Sequence, residues 1–145
     1  MRCVDVNVLV YAHRPKADRH DEYRGWLEAA RVADEPLGLS DLVLSGFIRI
    51  VTHPRVFREP SPRGVAFEFA DTLRASPSVI EVQPGPRHWS IFQRLCNEVD
   101  ARGNLVPDAF LAALAVETGS IWCTADRGFA RFGGLRVQHP LDAVS

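Results

Sequence analysis

Along the chain, apolar and polar positions alternate between strand-like and helix-like periods. The opening "RCVDVNVLVYA" is nearly continuously apolar, and it reads as a buried strand over "RCVDV" passing into a short helix through "NVLVYA". Residues 21 to 33, with Trp26 and Leu27, have the spacing of an amphipathic helix, and "PLGL" is a short second strand. Ser40 is a good N-cap and Asp41 suits the positive end of a helix. Leu44, Phe47, Ile48 and Val51 then recur at helical spacing. Gly46 falls inside this helix, where glycine costs about 1 kcal/mol relative to alanine. It therefore asks for a reason.

"SPRGVAFEFADTLRAS" predicts another helix, with Ser61 as cap and Pro62 at the first helical position. "SVIEV" is a third strand, "PRHWSIFQRLCNEV" a helix, "PDAFLAALAVETG" a helix closed by Gly119, and "SIWCT" and "LRVQ" are the last strands. Parallel neighbours need crossover helices, so this alternation predicts a three-layer α/β domain with a mainly parallel central sheet. No repeat, low-complexity tract or linker divides the chain, and residues 1–145 are expected to form a single domain.

Composition narrows the partners. With 46% hydrophobic residues in 145, the chain can bury a substantial core. A formal charge of −1 gives no global basic signal, so any nucleic-acid contact must come from a local patch. Sixteen of the 17 basic residues are arginine, and Lys16 is the one lysine. Arginine suits bidentate phosphate contacts, but a genome-wide preference for arginine codons explains the same count and is the favoured reading. Cys3, Cys96 and Cys123 are odd in number and widely spaced, which suits neither a disulfide framework nor a metal knuckle and fits a reducing cytoplasm. The amino terminus has no signal-peptide pattern and is too short in apolar length to span a bilayer.

Three aspartates stand where an open parallel sheet places its crevice, at the carboxyl ends of strands. Asp5 lies near the end of the first strand, Asp126 follows "SIWCT", and Asp108 opens the helix leading to that strand. Gathered carboxylates repel one another unless a cation neutralises them, and hard oxygen donors suit Mg²⁺ or Mn²⁺. Bland readings stand beside this one. Asp108 after Pro107 also complements a helix dipole, and Asp126 also fits a turn or cap. Asp5 is harder to explain away, because a carboxylate inside "CVDVNVLV" needs a partner. Asn7 and Thr124 are short polar neighbours able to orient the acids or a water, and turn hydrogen bonding explains them as well.

The successive blocks "DVNVLVYA", "LVLSGFIRIVTHPRVF", "NLVPDAFLAALAVETG" and "WCTADRGFARFGGLRV" resemble those of the PIN-domain ribonuclease toxins of the VapC type. They occur in order over nearly the whole chain. The resemblance implies a PIN-type α/β/α sandwich with acids gathered over the sheet. It also implies a divalent-metal-dependent endoribonuclease that cuts cellular RNA (tRNA, rRNA or mRNA), is silenced by a cognate VapB-type antitoxin and commonly dimerises. Asp5, Asp108 and Asp126 match the family's acidic positions. Their implied role is to hold Mg²⁺, or Mn²⁺, so that it polarises a phosphodiester and lowers the pKa of an attacking water.

Two departures stand out. Gly46 occupies a position where many members carry glutamate, and Gly128 one where another acid is frequent. A helical wheel puts Gly46 at the boundary between the apolar stripe and the polar face, where an acid would reach a site rim. Asp41 and Glu117 are poor substitutes: Asp41 is in the first helical turn, and Glu117 lies nine residues beyond Asp108 on roughly the opposite helix face.

The five histidines form no HxH or HExxH pattern, and no nucleophile elbow or Walker loop occurs. His53 before Pro54 is expected to end its helix. Arg49, Arg55, Arg58, Arg63, Arg127 and Arg131 are candidates for phosphate contacts, with solvated surface arginine the equal alternative. The runner-up function is a degenerate PIN fold that binds antitoxin or RNA without efficient cleavage. A phosphorylated receiver-like domain also sets acids at strand ends, but its chemistry uses a late lysine and Lys16 is early.

Overall fold

A computed structural model describes residues 1–142 of the chain. β1 (Arg2–Val4) runs into α1 (Val6–His13) with one residue between them, Asp5, which is both the end of the strand and the cap of the helix. α2 (His20–Ala30), β2 (Leu37–Leu39), α3 (Asp41–Val51), α4 (Arg63–Arg74) and β3 (Val79–Glu81) follow. α5 (His88–Val99), α6 (Leu105–Thr118), β4 (Ile121–Cys123), a 3₁₀ turn over Arg127–Arg131 and β5 (Arg136–Gln138) complete the described chain.

The strands pair in the order β3-β2-β1-β4-β5, and every pairing is parallel. The central strand sets the register: Cys3 lies opposite Gly38 on one side and Trp122 on the other. Gly38 is a glycine because a Cβ there would fall 2.6 Å from the Cys3 sulfur. Winding proceeds from β1 to β3 in one direction and then returns across the sheet to β4. The helices accordingly form two packed groups, α1 to α4 and α5 with α6, and right-handed crossovers put them on opposite faces. The expected three-layer sandwich is thus observed.

Val8, Leu9, Phe47, Val51, Leu95, Leu114 and Trp122 are among the most deeply buried side chains. α6 is apolar all round, with Ala109 and Leu111 through Ala115 buried, as a helix enclosed by its neighbours must be. No helix among the described residues is long and apolar enough to cross a membrane.

Several boundaries differ from the expectations. The strands keep only three residues each, because their ends are taken up by caps and turns: Asp5 donates its backbone N–H to the Cys123 carbonyl at 2.9 Å yet already caps α1. Ser61 does not cap α4. Pro62 holds the cap position, and the Ser61 hydroxyl instead accepts from Arg14 at 3.1 Å and bonds His13 at 2.9 Å. α6 begins at Leu105, two residues before the expected Pro107. A proline in the first turn is tolerated there because its missing N–H would have no partner. Ser40 caps α3 as expected, accepting from the Leu42 N–H at 3.1 Å, and α3 ends at Val51, before the His53-Pro54 pair.

Candidate functional site

The sheet reverses its winding between β1 and β4, and in such folds the crevice forms outside the carboxyl ends of those two strands. Asp5 is fixed there by three donors. One oxygen accepts from the Val6 N–H at 2.7 Å; the other accepts from the Thr124 hydroxyl at 2.7 Å and the Asn7 amide at 3.3 Å. Thr124 also accepts from the Asp126 N–H at 3.0 Å, and Asn7 accepts from the Ala125 N–H at 3.2 Å. This network staples the start of α1 to the loop after β4, joining residues more than a hundred positions apart.

The Asp5 carboxyl is buried, and removal from water pushes its pKa up from 3.8 to about 6. The bonds from Thr124 and Val6 oppose that rise, while the charges of Asp108 and Asp126 add to it. Asp108, in the first turn of α6, is half-buried and also raised, by desolvation and then by Asp126, with Arg131 pulling the other way. Asp126 is exposed and caps the 3₁₀ turn, accepting from the Gly128 N–H at 2.8 Å. Its cap role and its place at the site coexist.

All three aspartates line one groove of about 560 Å³, together with Gly46, Arg49 and Phe57. Among the described residues, no three His, Cys, Asp or Glu side chains stand close enough to ligate one ion together. The acids therefore form an open rim and not a cage. An oxygen-only rim of repelling carboxylates fits a cation that keeps several of its waters, as Mg²⁺ and Mn²⁺ do, and does not fit a closed zinc site.

Gly46 faces this groove, as the wheel implied. A Cβ there would meet a methyl of Val6 at 3.1 Å, so Val6 occupies part of the space that a longer side chain would need. Nothing in the sequence pairs these two positions. At Gly128 an added Cβ would stand 2.9 Å from the Asp126 carboxylate and 3.0 Å from Arg131, so the glycine keeps that cap intact.

The doubted substitutes lie in other contacts. Asp41 pairs with Arg74 at 2.5 Å. Glu117 accepts from the Gly85 and Arg87 N–H groups at 2.7 and 2.9 Å, ahead of α5. Neither lines the groove. Of the arginines singled out, Arg49 lines it, Arg131 acts on Asp108, and Arg127 pairs with Asp142 at 3.3 Å. Phe57 and Tyr11 line the groove without having been anticipated, since single aromatic residues carry no spacing signal.

Fold and site together define an α/β/α domain with carboxylates gathered at the switch point of an all-parallel sheet. The model of the PIN domain family matches residues 2–135, and the chain belongs to that family. It is 55% identical over 142 residues to Ribonuclease VapC43 of Mycobacterium tuberculosis, covering 98% of this chain and 97% of the relative. Ribonuclease VapC25 of the same organism is 42% identical over 140 residues, covering 97% and 99%. Among solved structures, VapBC2 from Rickettsia felis bound to a DNA fragment from their promoter shares the fold. Its TM-score is 0.69 at 18% identity, over 94% of this chain and 96% of that one. FitAcB from Neisseria gonorrhoeae gives 0.66 at 16% identity, over 97% and 98%.

Proposed function

We propose that this chain is the toxin of a type II toxin–antitoxin pair, an endoribonuclease that hydrolyses phosphodiester bonds of cellular RNA. The observation that carries this reading is the convergence of Asp5, Asp108 and Asp126 on one groove at the switch point, in a chain 55% identical to a named ribonuclease. Those three side chains are proposed to hold a hydrated Mg²⁺ or Mn²⁺, partly through waters that the ion keeps. When bound, such an ion supplies Lewis acidity toward a phosphate oxygen and a water of lowered pKa.

The chain's own residues do the rest. Asp5 is held by Val6, Asn7 and Thr124 so that its direction is fixed before any ligand arrives. Asp108 and Asp126 present charge along the same groove at increasing exposure. Arg49 is the one cation among the groove's lining residues and is available to a phosphate. No covalent protein nucleophile is required.

The remaining parts of the reading are an RNA substrate, a VapB-type antitoxin that silences the site, a homodimeric state and a cytoplasmic location. VapBC and Fit proteins among the structural neighbours support the antitoxin. The ribonuclease names of the relatives support RNA. A weakened PIN fold that binds antitoxin or RNA without cutting is the second reading, favoured by Gly46 and Gly128 standing where acids are frequent.

One experiment separates them. Purified toxin freed of antitoxin is incubated with RNA and Mg²⁺ or Mn²⁺, beside Asp5→Asn and Asp108→Ala. The expected result is metal-supported cleavage by the wild type, reduced about a hundredfold or more in either variant. Equal cleavage by all three would overturn the site, and RNA binding without cleavage by the wild type would favour the second reading.

A further inference from the structure

Beside the acidic groove lies a second cavity of about 670 Å³, between the loop after α1 and the loop after α3. Phe57 lines both, so the two are contiguous. Their charges are opposite. The groove sets three carboxylates against Arg49, whereas the second cavity sets Arg14, Lys16 and Arg58 against Glu59.

Arg14 is committed to building the wall. Its guanidinium lies 4.1 Å from the centre of the Phe57 ring and donates to the Ser61 hydroxyl at 3.1 Å and the Glu59 carbonyl at 2.9 Å. Lys16 and Arg58 are exposed, and neither forms an ion pair among the described residues. A rigid aromatic–guanidinium wall with two uncommitted cations beside it is the chemistry that holds a phosphate and its base in single-stranded nucleic acid. The volume lies within the range of pockets that take a small ligand, about 300–1,000 Å³.

A polyanion also needs such a place. The acidic groove repels phosphate, and the overall charge of −1 supplies no long-range attraction. We infer that the Arg14–Lys16–Arg58 cavity is an RNA subsite, holding a nucleotide that flanks the scissile bond while the strand crosses Phe57 into the acidic groove. The inference rests on the ribonuclease reading above. In this role Lys16 and Arg58 are substrate-positioning residues.

The test compares wild type with Lys16→Ala/Arg58→Ala. A control, Arg24→Ala/Arg102→Ala, removes two arginines that line neither cavity. Metal-supported cleavage of an oligoribonucleotide is followed as a function of salt, and binding of the same labelled strand by anisotropy in chelator. The double variant should raise KM and Kd about tenfold with kcat kept, and lower the slope of log affinity against log salt by about 1.4, while the control does neither. Since Lys16 is the one lysine, bound RNA should also protect the wild-type side chain from amine acetylation.

A wild type that neither binds nor cleaves RNA would remove the ribonuclease reading and the subsite together. A wild type that cleaves while Lys16→Ala/Arg58→Ala matches it in KM, Kd and salt slope would overturn the subsite alone. Loss of antitoxin binding with RNA binding intact would overturn it too, by assigning the cavity to a protein partner.

Discussion

At Asp5 two effects compete on one carboxyl. Burial and the neighbouring acids favour its proton, while three hydrogen-bond donors favour its charge, and burial prevails, with a pKa of about 6. Because that value lies above the ordinary 3.8, the group favours folding at pH below about 4. This contribution is lost as pH rises through about 6, so the ionised form at neutral pH costs about 3 kcal/mol. A cation at the rim would offset the cost. Proton and metal therefore compete, and Mg²⁺ or Mn²⁺ affinity measured calorimetrically should fall by up to about tenfold per pH unit below pH 6 and level off above pH 7. An affinity flat from pH 5 to 8 would exclude Asp5 as a ligand. Asp5 itself was legible in the sequence because an acid in an apolar run is conspicuous. Thr124 was legible as a polar neighbour able to orient the acids, but its pairing with Asp5 in particular was not, since the two are 119 positions apart.

At the scale of elements, helix ends decide which acids are structural. Glu117, near the end of α6, satisfies two N–H groups ahead of α5, and a Cβ at Gly85 would stand 2.6 Å from the Glu117 carboxylate and displace it from those donors. Glu117→Ala should lower stability to urea by about 1 kcal/mol through the two orphaned donors, with RNA cleavage kept within about twofold. A large loss of cleavage with stability unchanged would return Glu117 to the site. Gly46 on α3 is the complementary case, since it faces the groove but has Val6 of α1 against it. Replacing it gains up to about 1 kcal/mol of helix propensity and loses part of that to crowding. Gly46→Glu should tighten metal binding by about tenfold, and more in combination with Val6→Ala, which clears the space. Unchanged affinity in both would make Gly46 a packing glycine that lets α1 approach α3.

At the scale of the molecule, the sheet order brings the ends of β1 and β4 together although most of the chain lies between them. The three acids come from the β1–α1 junction, the first turn of α6 and the loop after β4, so the site exists only when both helical layers are docked. We expect the chain to unfold as one cooperative domain. Trp26 on α2, Trp89 on α5 and Trp122 on β4 sample both layers and the sheet, and their fluorescence should change with urea at the same midpoint as far-ultraviolet circular dichroism. Separate midpoints would divide the chain into more than one unit.

The sequence by itself determined the α-helices and strands, though not the 3₁₀ turn over Arg127–Arg131, because helix caps, apolar periodicity and the turn glycine at 119 act within a few residues. It also singled out Asp5, Asp108 and Asp126, since acids beside strand ends and helix starts are visible one at a time. The geometry of their meeting in one groove, the particular bonds that Asn7 and Thr124 make there, the methyl of Val6 against Gly46 and the basic cavity beside Phe57 were decided by the tertiary structure alone. Those contacts join residues far apart in the chain. Their geometry follows from strand order and from how the helices pack, which no local pattern encodes.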